Sequence, residues 1–267
     1  MTGDLDLDAY FARIGWGGGT APTLETLTGL LHAHTGAVPF ENLDVLLRRP
    51  VRLDLEGLQD KLVRRRRGGY CFEHATLFAA MLRRLGFSLT THAARVVVAR
   101  PKEESPRGHM FLTVTLDGER YVVDPGFAAY TSRRPLPLRA GHPDGNEAHI
   151  LTLDDGRWTL HARRDGALKS GWITTLEEEH PVDFEMANHW TATCPSSHFT
   201  QMMMMSATTK TGRVNVMNRD VTVIGPDGVA KQELTDRREL RALLTDHFGF
   251  DLPEAETLIV PAIDEWR

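Results

Sequence analysis

Cysteine is scarce in this sequence: Cys71 and Cys194 are the only two among 267 residues. Two are too few for a disulfide framework or a cysteine zinc site, and a cytoplasmic, reducing setting is the expectation. No apolar run approaches the length of a membrane span. The start, Met1-Thr2-Gly3-Asp4-Leu5-Asp6, is acidic and lacks an apolar stretch, so it does not read as a signal peptide. Positive charge is not in excess. The formal net charge is −5, which offers nucleic acid no global basic field. Gly17-Gly18-Gly19 follows no strand and lacks a Gly-Lys-Ser ending, so it reads as a plain loop rather than a phosphate loop. No metal site is expected: His32 and His34, two residues apart on a helix, point to different faces. What is present is an ordinary globular composition, 41% hydrophobic and 25% charged. The length suits one large domain or two to three small lobes.

The chain turns on Arg67-Gly68-Gly69-Tyr70-Cys71-Phe72-Glu73-His74. Two glycines end a basic run, a cysteine follows, and Leu77, Phe78, Met81, Leu82 and Leu85 then recur at helical spacing up to Gly86. This predicts Cys71 in the first turn of a buried helix. A helix N-terminus carries exposed N–H donors and partial positive charge, which favour anionic sulfur and a developing oxyanion. Most free cysteines are small buried hydrophobes, so a catalytic role needs a base and an orienting carboxylate elsewhere.

Upstream, residues 4–16 read as a short amphipathic helix broken by Gly17-Gly18-Gly19, and Thr23 as the cap of a second helix. Asp54 caps a third over residues 53–63. Glu41, among apolar neighbours, wants a cationic partner. Arg64 to Arg66 read as a solvated helix end, whereas Arg67 abuts the glycine turn. After Gly86 the character changes to short β-branched runs at 88–98, 110–116, 120–123, 150–153 and 158–160. Asp117-Gly118, Asp155-Gly156 and Asp165-Gly166 supply turns, and the prolines of 135–143 an irregular loop. From about residue 183 a short helix, further strands through Met202–Met205, 214–218 and 221–224, and a last helix capped by Asp236 and stopped by Gly249 form a third region. The four methionines read as core filler.

The candidate base is His109, at the head of the hairpin around Asp117-Gly118, and Asp124 ends the hairpin's second strand. Antiparallel pairing brings the two toward each other at the open end of the ladder. Alone, His109 reads as a loop histidine and Asp124 as a turn carboxylate before Pro125-Gly126. With Cys71 they form a coherent Cys, His, Asp constellation.

The order of these motifs resembles the arylamine N-acetyltransferase family over nearly the whole chain. The matching stretches are Tyr10–Gly15, Thr23–Leu27, Pro39–Asp44, Arg67–Glu73, His109, Val123–Phe127, Asp183–Glu185 and Pro195–Phe199. The resemblance implies an α+β, three-lobed fold with a transglutaminase- and cysteine-protease-like core. Residues 1–86 would form a helical bundle carrying the nucleophile, 87–182 an antiparallel β-barrel-like domain carrying His109 and Asp124, and 183–267 an α/β lid. It implies acetyl transfer from acetyl-CoA to an arylamine, arylhydrazine or N-hydroxyarylamine, ping-pong through Cys71, with His109 as base and Asp124 as orienter. It further implies an Arg67–Glu41 pair, an acceptor pocket of Phe40, Tyr70, Phe127 and Phe199, and coenzyme contacts at Gly126, Phe127 and Ala128. Partners would be small molecules, with neither nucleic acid nor membrane.

Two departures bear on the coenzyme. The family usually carries a glycine pair near the coenzyme diphosphate where this chain has Ala128-Ala129, and often histidine where it has Cys194. A related offshoot, amide synthases that take a polyketide acyl chain from a carrier, shares the triad and is the alternative reading. A transglutaminase-like thiol hydrolase and a non-catalytic binding module are further ones.

Overall fold

Two capped helices begin the molecule. Asp6 accepts the N–H of Ala9 at 2.9 Å and starts α1 (Leu7–Ile14); Thr23 accepts that of Thr26 and starts α2 (Leu24–Ala37). The computed structural model describes residues 4–141, 147–164 and 166–266. Met1 to Gly3, part of the proline-rich loop and Asp165 of the Asp165-Gly166 turn lie outside them. Helix α1 stops at Gly15, left-handed at φ 67°, and not at the triple glycine as expected. A single left-handed residue suffices to close a helix, and glycine takes that conformation without strain.

A two-residue strand, β1 (Phe40–Glu41), leads into α3 (Leu43–Leu46). The helix capped by Asp54 begins as α4 (Leu55–Leu58) and widens to a π-helix over Gln59–Arg64. Then α5 (Cys71–Arg84) crosses the core, closed by Gly86 at φ 82°.

The middle of the chain forms β2 (Ser88–Val96), β3 (His109–Leu116), β4 (Glu119–Val123), β5 (Leu136–Pro137), β6 (His149–Asp154), β7 (Arg157–Arg164) and β8 (Ala167–Thr174). They make one antiparallel, barrel-like sheet in the order β5-β4-β3-β2-β8-β7-β6. Strand β8 has no clear alternation in the sequence and is absent from the strands expected there. It enters through pairing with β7, and its residues Ser170 and Lys169 stay on the surface.

The last region opens with α6 (Pro181–Thr193), longer than expected because Pro181 presets its first turn and Asp183 accepts the His180 N–H. After α7 (His198–Gln201) come β9 (Met204–Thr209), β10 (Gly212–Met217), β11 (Asp220–Gly225) and β12 (Gly228–Glu233). With β1 they form a second antiparallel sheet in the order β1-β9-β10-β11-β12. Helix α8 (Arg237–Leu243), capped by Asp236, ends through a π turn at left-handed Gly249.

The packing follows strand parity. On β3, Met110, Leu112 and Val114 face the helical core with Leu27, Phe72 and Phe78. Phe111 faces the opposite side with Phe127, Leu160 and Trp172, and His109 shares its parity. Met203 and Met205 pack under the second sheet with Leu240 and Phe248, as filler.

Candidate active site

The glycine pair at the centre of the sequence serves close packing. Gly69 accepts the Glu41 N–H at 2.9 Å and donates to the Pro39 carbonyl at 3.2 Å. A methyl group on Gly68 would lie 2.2 Å from the Pro39 oxygen, and one on Gly69 would lie 2.6 Å from Glu73 Oε2. Glu73 reaches back three residues to accept the Tyr70 N–H at 3.0 Å, which starts α5 at Cys71. The nucleophile candidate is thus the first helical residue, buried, with its Sγ 3.7 Å from the Gly108 carbonyl.

His109 and Asp124 meet as the hairpin predicts. The β3–β4 register pairs Leu112 with Val123. Continued by one residue it sets Asp124 opposite Phe111, so His109 is its diagonal neighbour on the same face. His109 Nε2 lies 2.8 Å from Asp124 Oδ2, and Trp172 Nε1 donates to that oxygen at 2.9 Å. The Gly126 N–H donates to Oδ1 at 3.4 Å. Burial pushes the imidazole pKa down, but the Asp124 charge and hydrogen bond outweigh it, with a hydrogen bond to Cys71 adding, and raise it to about 10. With Nε2 on the carboxylate, Nδ1 is the nitrogen left for sulfur. The segment just after the hairpin docks it onto the cysteine: a methyl on Gly126 would sit 2.7 Å from Cys71 Cα.

Arg67 and Glu41 pair as expected, within a larger network. Arg67 Nη2 lies 2.6 Å from Glu41 and Nη1 3.1 Å from Asp44. Lys61 lies 2.8 Å from both Asp44 and Glu73. Burial raises the Asp44 carboxyl, but Lys61 and Arg67 outweigh it and bring it down to about 2. Burial, against the pull of Lys61, raises Glu73 to about 7. Two cations, Lys61 and Arg67, thus face three carboxylates, Glu41, Asp44 and Glu73. Asp44, Lys61 and Glu73 were not read from the sequence. Glu73 stands at capping-box spacing from Tyr70, a signal that was there to read.

Behind the cysteine runs a neutral relay. His74 Nε2 donates to the Pro39 carbonyl at 3.1 Å, His34 Nε2 to His74 Nδ1 at 2.9 Å, and the Tyr10 hydroxyl to His34 Nδ1 at 2.7 Å. Burial holds His34 well below its ordinary range and His74 down to about 4. His34 is thus a fully hydrogen-bonded core histidine, whereas His32 is exposed.

The four pocket candidates fall into two groups. Phe40, Tyr70 and Phe199 cluster, Phe199 centred 6.2 Å from Phe40 and 5.3 Å from Tyr70. Tyr70 is wholly buried and its hydroxyl meets Asn188. Phe127 lies apart, tilted on His109 at 4.6 Å. Of the coenzyme candidates, Gly126 packs on Cys71, and Ala128 is left-handed at φ 48°, a conformation that favours glycine. Trp172, which orients Asp124, was missed because β8 was not read. Among the described residues no group of three or more His, Cys, Asp or Glu is placed to hold a metal, and no helix is long and apolar enough to cross a membrane.

The chain as a whole has known relatives. A family model described as N-acetyltransferase matches residues 23–257. The arylamine N-acetyltransferase of Escherichia coli K12 is 35% identical over 256 residues, covering 94% of this chain and 90% of its own. The structure of the Mycobacterium tuberculosis arylamine N-acetyltransferase superposes with a TM-score of 0.86 at 35% identity, over 95% of this chain and 96% of that one. The Mycobacterium marinum enzyme solved in complex with CoA gives 0.87 at 34% identity, over 94% of each chain. The chain belongs to the arylamine N-acetyltransferase family of acyltransferases.

Proposed function

We propose that Cys71, His109 and Asp124 form a triad that transfers an acetyl group from acetyl-CoA to an aromatic amine, hydrazine or N-hydroxyarylamine. The observation that carries this reading is the cysteine at a helix start, joined to a histidine held by a buried carboxylate. His109 Nδ1 takes the Cys71 proton. Sulfur attacks the donor's carbonyl carbon, the donor C–S bond breaks, and the departing thiolate takes the proton from the imidazolium. An amine then attacks the Cys71 thioester, the enzyme C–S bond breaks, and the amine's proton returns through His109 to Cys71. In this reading the first-turn N–H groups of α5 stabilise the tetrahedral oxygen in each half. Thioester exchange is near-neutral in energy, so positioning and oxyanion stabilisation are what the protein supplies. Division into lobes at about residues 86 and 182 and a cytoplasmic setting, where CoA and a reduced thiol coexist, belong to the same reading.

One observation favours the amide-synthase alternative, the Ala128 methyl at a left-handed position that favours glycine. Intact-protein mass separates the two. Incubation with acetyl-CoA alone adds one acetyl group to the wild type and none to Cys71→Ser. A protein that stays unmodified by acetyl-CoA, yet takes a longer carrier-bound acyl group at Cys71, is an amide synthase.

A further inference from the structure

Trp172 reaches the triad through an irregularity in its strand. Ser170 and Trp172 stand two residues apart on β8, and in a regular strand they would face the same side of the sheet. Here they face opposite sides. Ser170 lies on the outer side, paired with His161 and 3.2 Å from its Nδ1. Trp172 pairs with Leu160 and is wholly buried, packed with Leu160, Phe111 and Phe127. Gly171 is the extra residue: β7 steps from Leu160 to His161 while β8 steps from Trp172 to Ser170. Such a bulge re-aims the side chain beside it. Gly171 leaves no room for a side chain of its own. A methyl there would lie 2.7 Å from the Phe127 ring, which is tilted on His109 at 4.6 Å.

What the bulge aims is one hydrogen-bond donor. Trp172 Nε1 donates at 2.9 Å to Asp124 Oδ2, the oxygen that meets His109 Nε2 at 2.8 Å. The other oxygen, Oδ1, has the Gly126 N–H at the longer 3.4 Å. Phe111 stacks on the indole with centroids 4.5 Å apart and planes at 20°, which holds the donor in line. The titratable groups around the pair are Cys71 from α5, His109 from β3 and His149 from β6. Burial keeps His149 below its ordinary range, and its Nε2 donates to the Tyr130 carbonyl. Strand β2 sets Ala94 opposite His109. The indole N–H therefore puts the positive end of a dipole on the oxygen that the imidazolium also uses, in a buried site where such dipoles act strongly.

We propose that Trp172 is a positioning residue for the reaction: through the oxygen it shares with His109 it orients Asp124 and moderates the His109–Asp124 ion pair, so that the imidazole can release its proton. The inference rests on the Cys71, His109 and Asp124 reading of acyl transfer and adds a fourth residue to it. An imidazole held too firmly in its charged form gives its proton slowly to a departing thiolate. It is also seldom free to take one from an amine, because a general acid–base group works best near the operating pH. With the indole in place His109 is raised to about 10. Without the indole N–H, Asp124 Oδ2 keeps His109 as its partner, and the imidazolium is held more firmly still.

Ring-nitrogen NMR of His109 against pH tests this, with the signal identified by its loss in His109→Gln. Two changes remove the donor. Trp172→Phe shortens the ring, whereas benzothienylalanine incorporated at position 172 keeps the shape and puts sulfur where the N–H stood. Each should move the His109 midpoint upward by about one pH unit. The pH profile of amine acetylation should move the same way in the benzothienyl protein. A Trp172 that only fills space would lower the rate by one factor at every pH and leave the midpoint in the benzothienyl protein unchanged. That result overturns the proposal, as does a midpoint moved downward. Should Trp172→Phe fail to fold, the benzothienyl protein decides by itself. The NMR midpoint needs no acyl donor. A wild type that takes no acetyl group from acetyl-CoA would therefore overturn the thioester reading, while the midpoint still decides the role of Trp172 toward His109.

Discussion

His109 carries the strongest electrostatic consequence of the site. Its folded-state pKa is about 10 against 6.5 for the free side chain. A base whose pKa rises on folding stabilises the protein in full below the free value, and the contribution is lost as pH rises through the folded value. The His109–Asp124 pair should therefore contribute fully below pH 6.5 and fade between pH 6.5 and 10. Thermal melts of the wild type and His109→Gln should differ most near pH 6 and converge toward pH 10; a constant gap would contradict the buried pair. The same variant should slow acetylation about 10²–10⁴-fold, the usual range for removing a general base. Glu73 adds to the trend: an acid raised to about 7 binds more protons folded than unfolded, so it too lowers stability as pH rises from 4.5 to 7.

Among elements, α5 depends on the loop that precedes it. The turn Arg67 to Gly69 is held by backbone bonds to Pro39 and Glu41 and by the ion network on Arg67. Removing the guanidinium leaves Glu41 and Asp44 sharing Lys61 in a buried site. Arg67→Ala should cost about 3–5 kcal/mol, the range for breaking a buried pair from one side. Denaturant titration measures it, and a midpoint equal to that of the wild type would show the network contributes nothing. The exposed pairs of Arg64 with Glu56 and Asp60 lie in the same basic run, and surface pairs of that kind contribute little.

The whole molecule is tied together at Asn42. Its amide donates to the Phe199 carbonyl at 2.9 Å and the Met202 carbonyl at 2.8 Å, and its oxygen accepts the Met204 N–H at 2.8 Å. Those partners are about 160 residues away along the chain. With β1 paired to β9, this joins the N-terminal helices to the last sheet beside Phe199. Asn42→Ala strands three partly buried groups, each at about 1–3 kcal/mol. A loss of about 3 kcal/mol or more in a single unfolding transition is expected by denaturant titration. A separate early transition of the C-terminal region would show instead that the two parts unfold independently.

The sequence by itself determined the nucleophile's helix, the hairpin and the starts of three further helices. Thr23, Asp54 and Asp236 announce helix starts because a short oxygen-bearing side chain caps locally. Asp117-Gly118 announces the hairpin because both residues take positive φ there. From that turn, counting along two strands is enough to bring His109 toward Asp124. Interactions set within a few residues of the chain are legible in the chain. Tertiary structure alone decided the rest. Trp172 reaches Asp124 only because β8 joins the sheet beside β2. Lys61 turns inward because three carboxylates from two other segments surround it. Arg213 meets Arg133 and the Ala128 turn only through the docking of the last sheet on the middle one. In one dimension the lysine and arginines look like ordinary surface charges and Trp172 like any apolar residue, since their environments are built from segments that only the closed fold brings together.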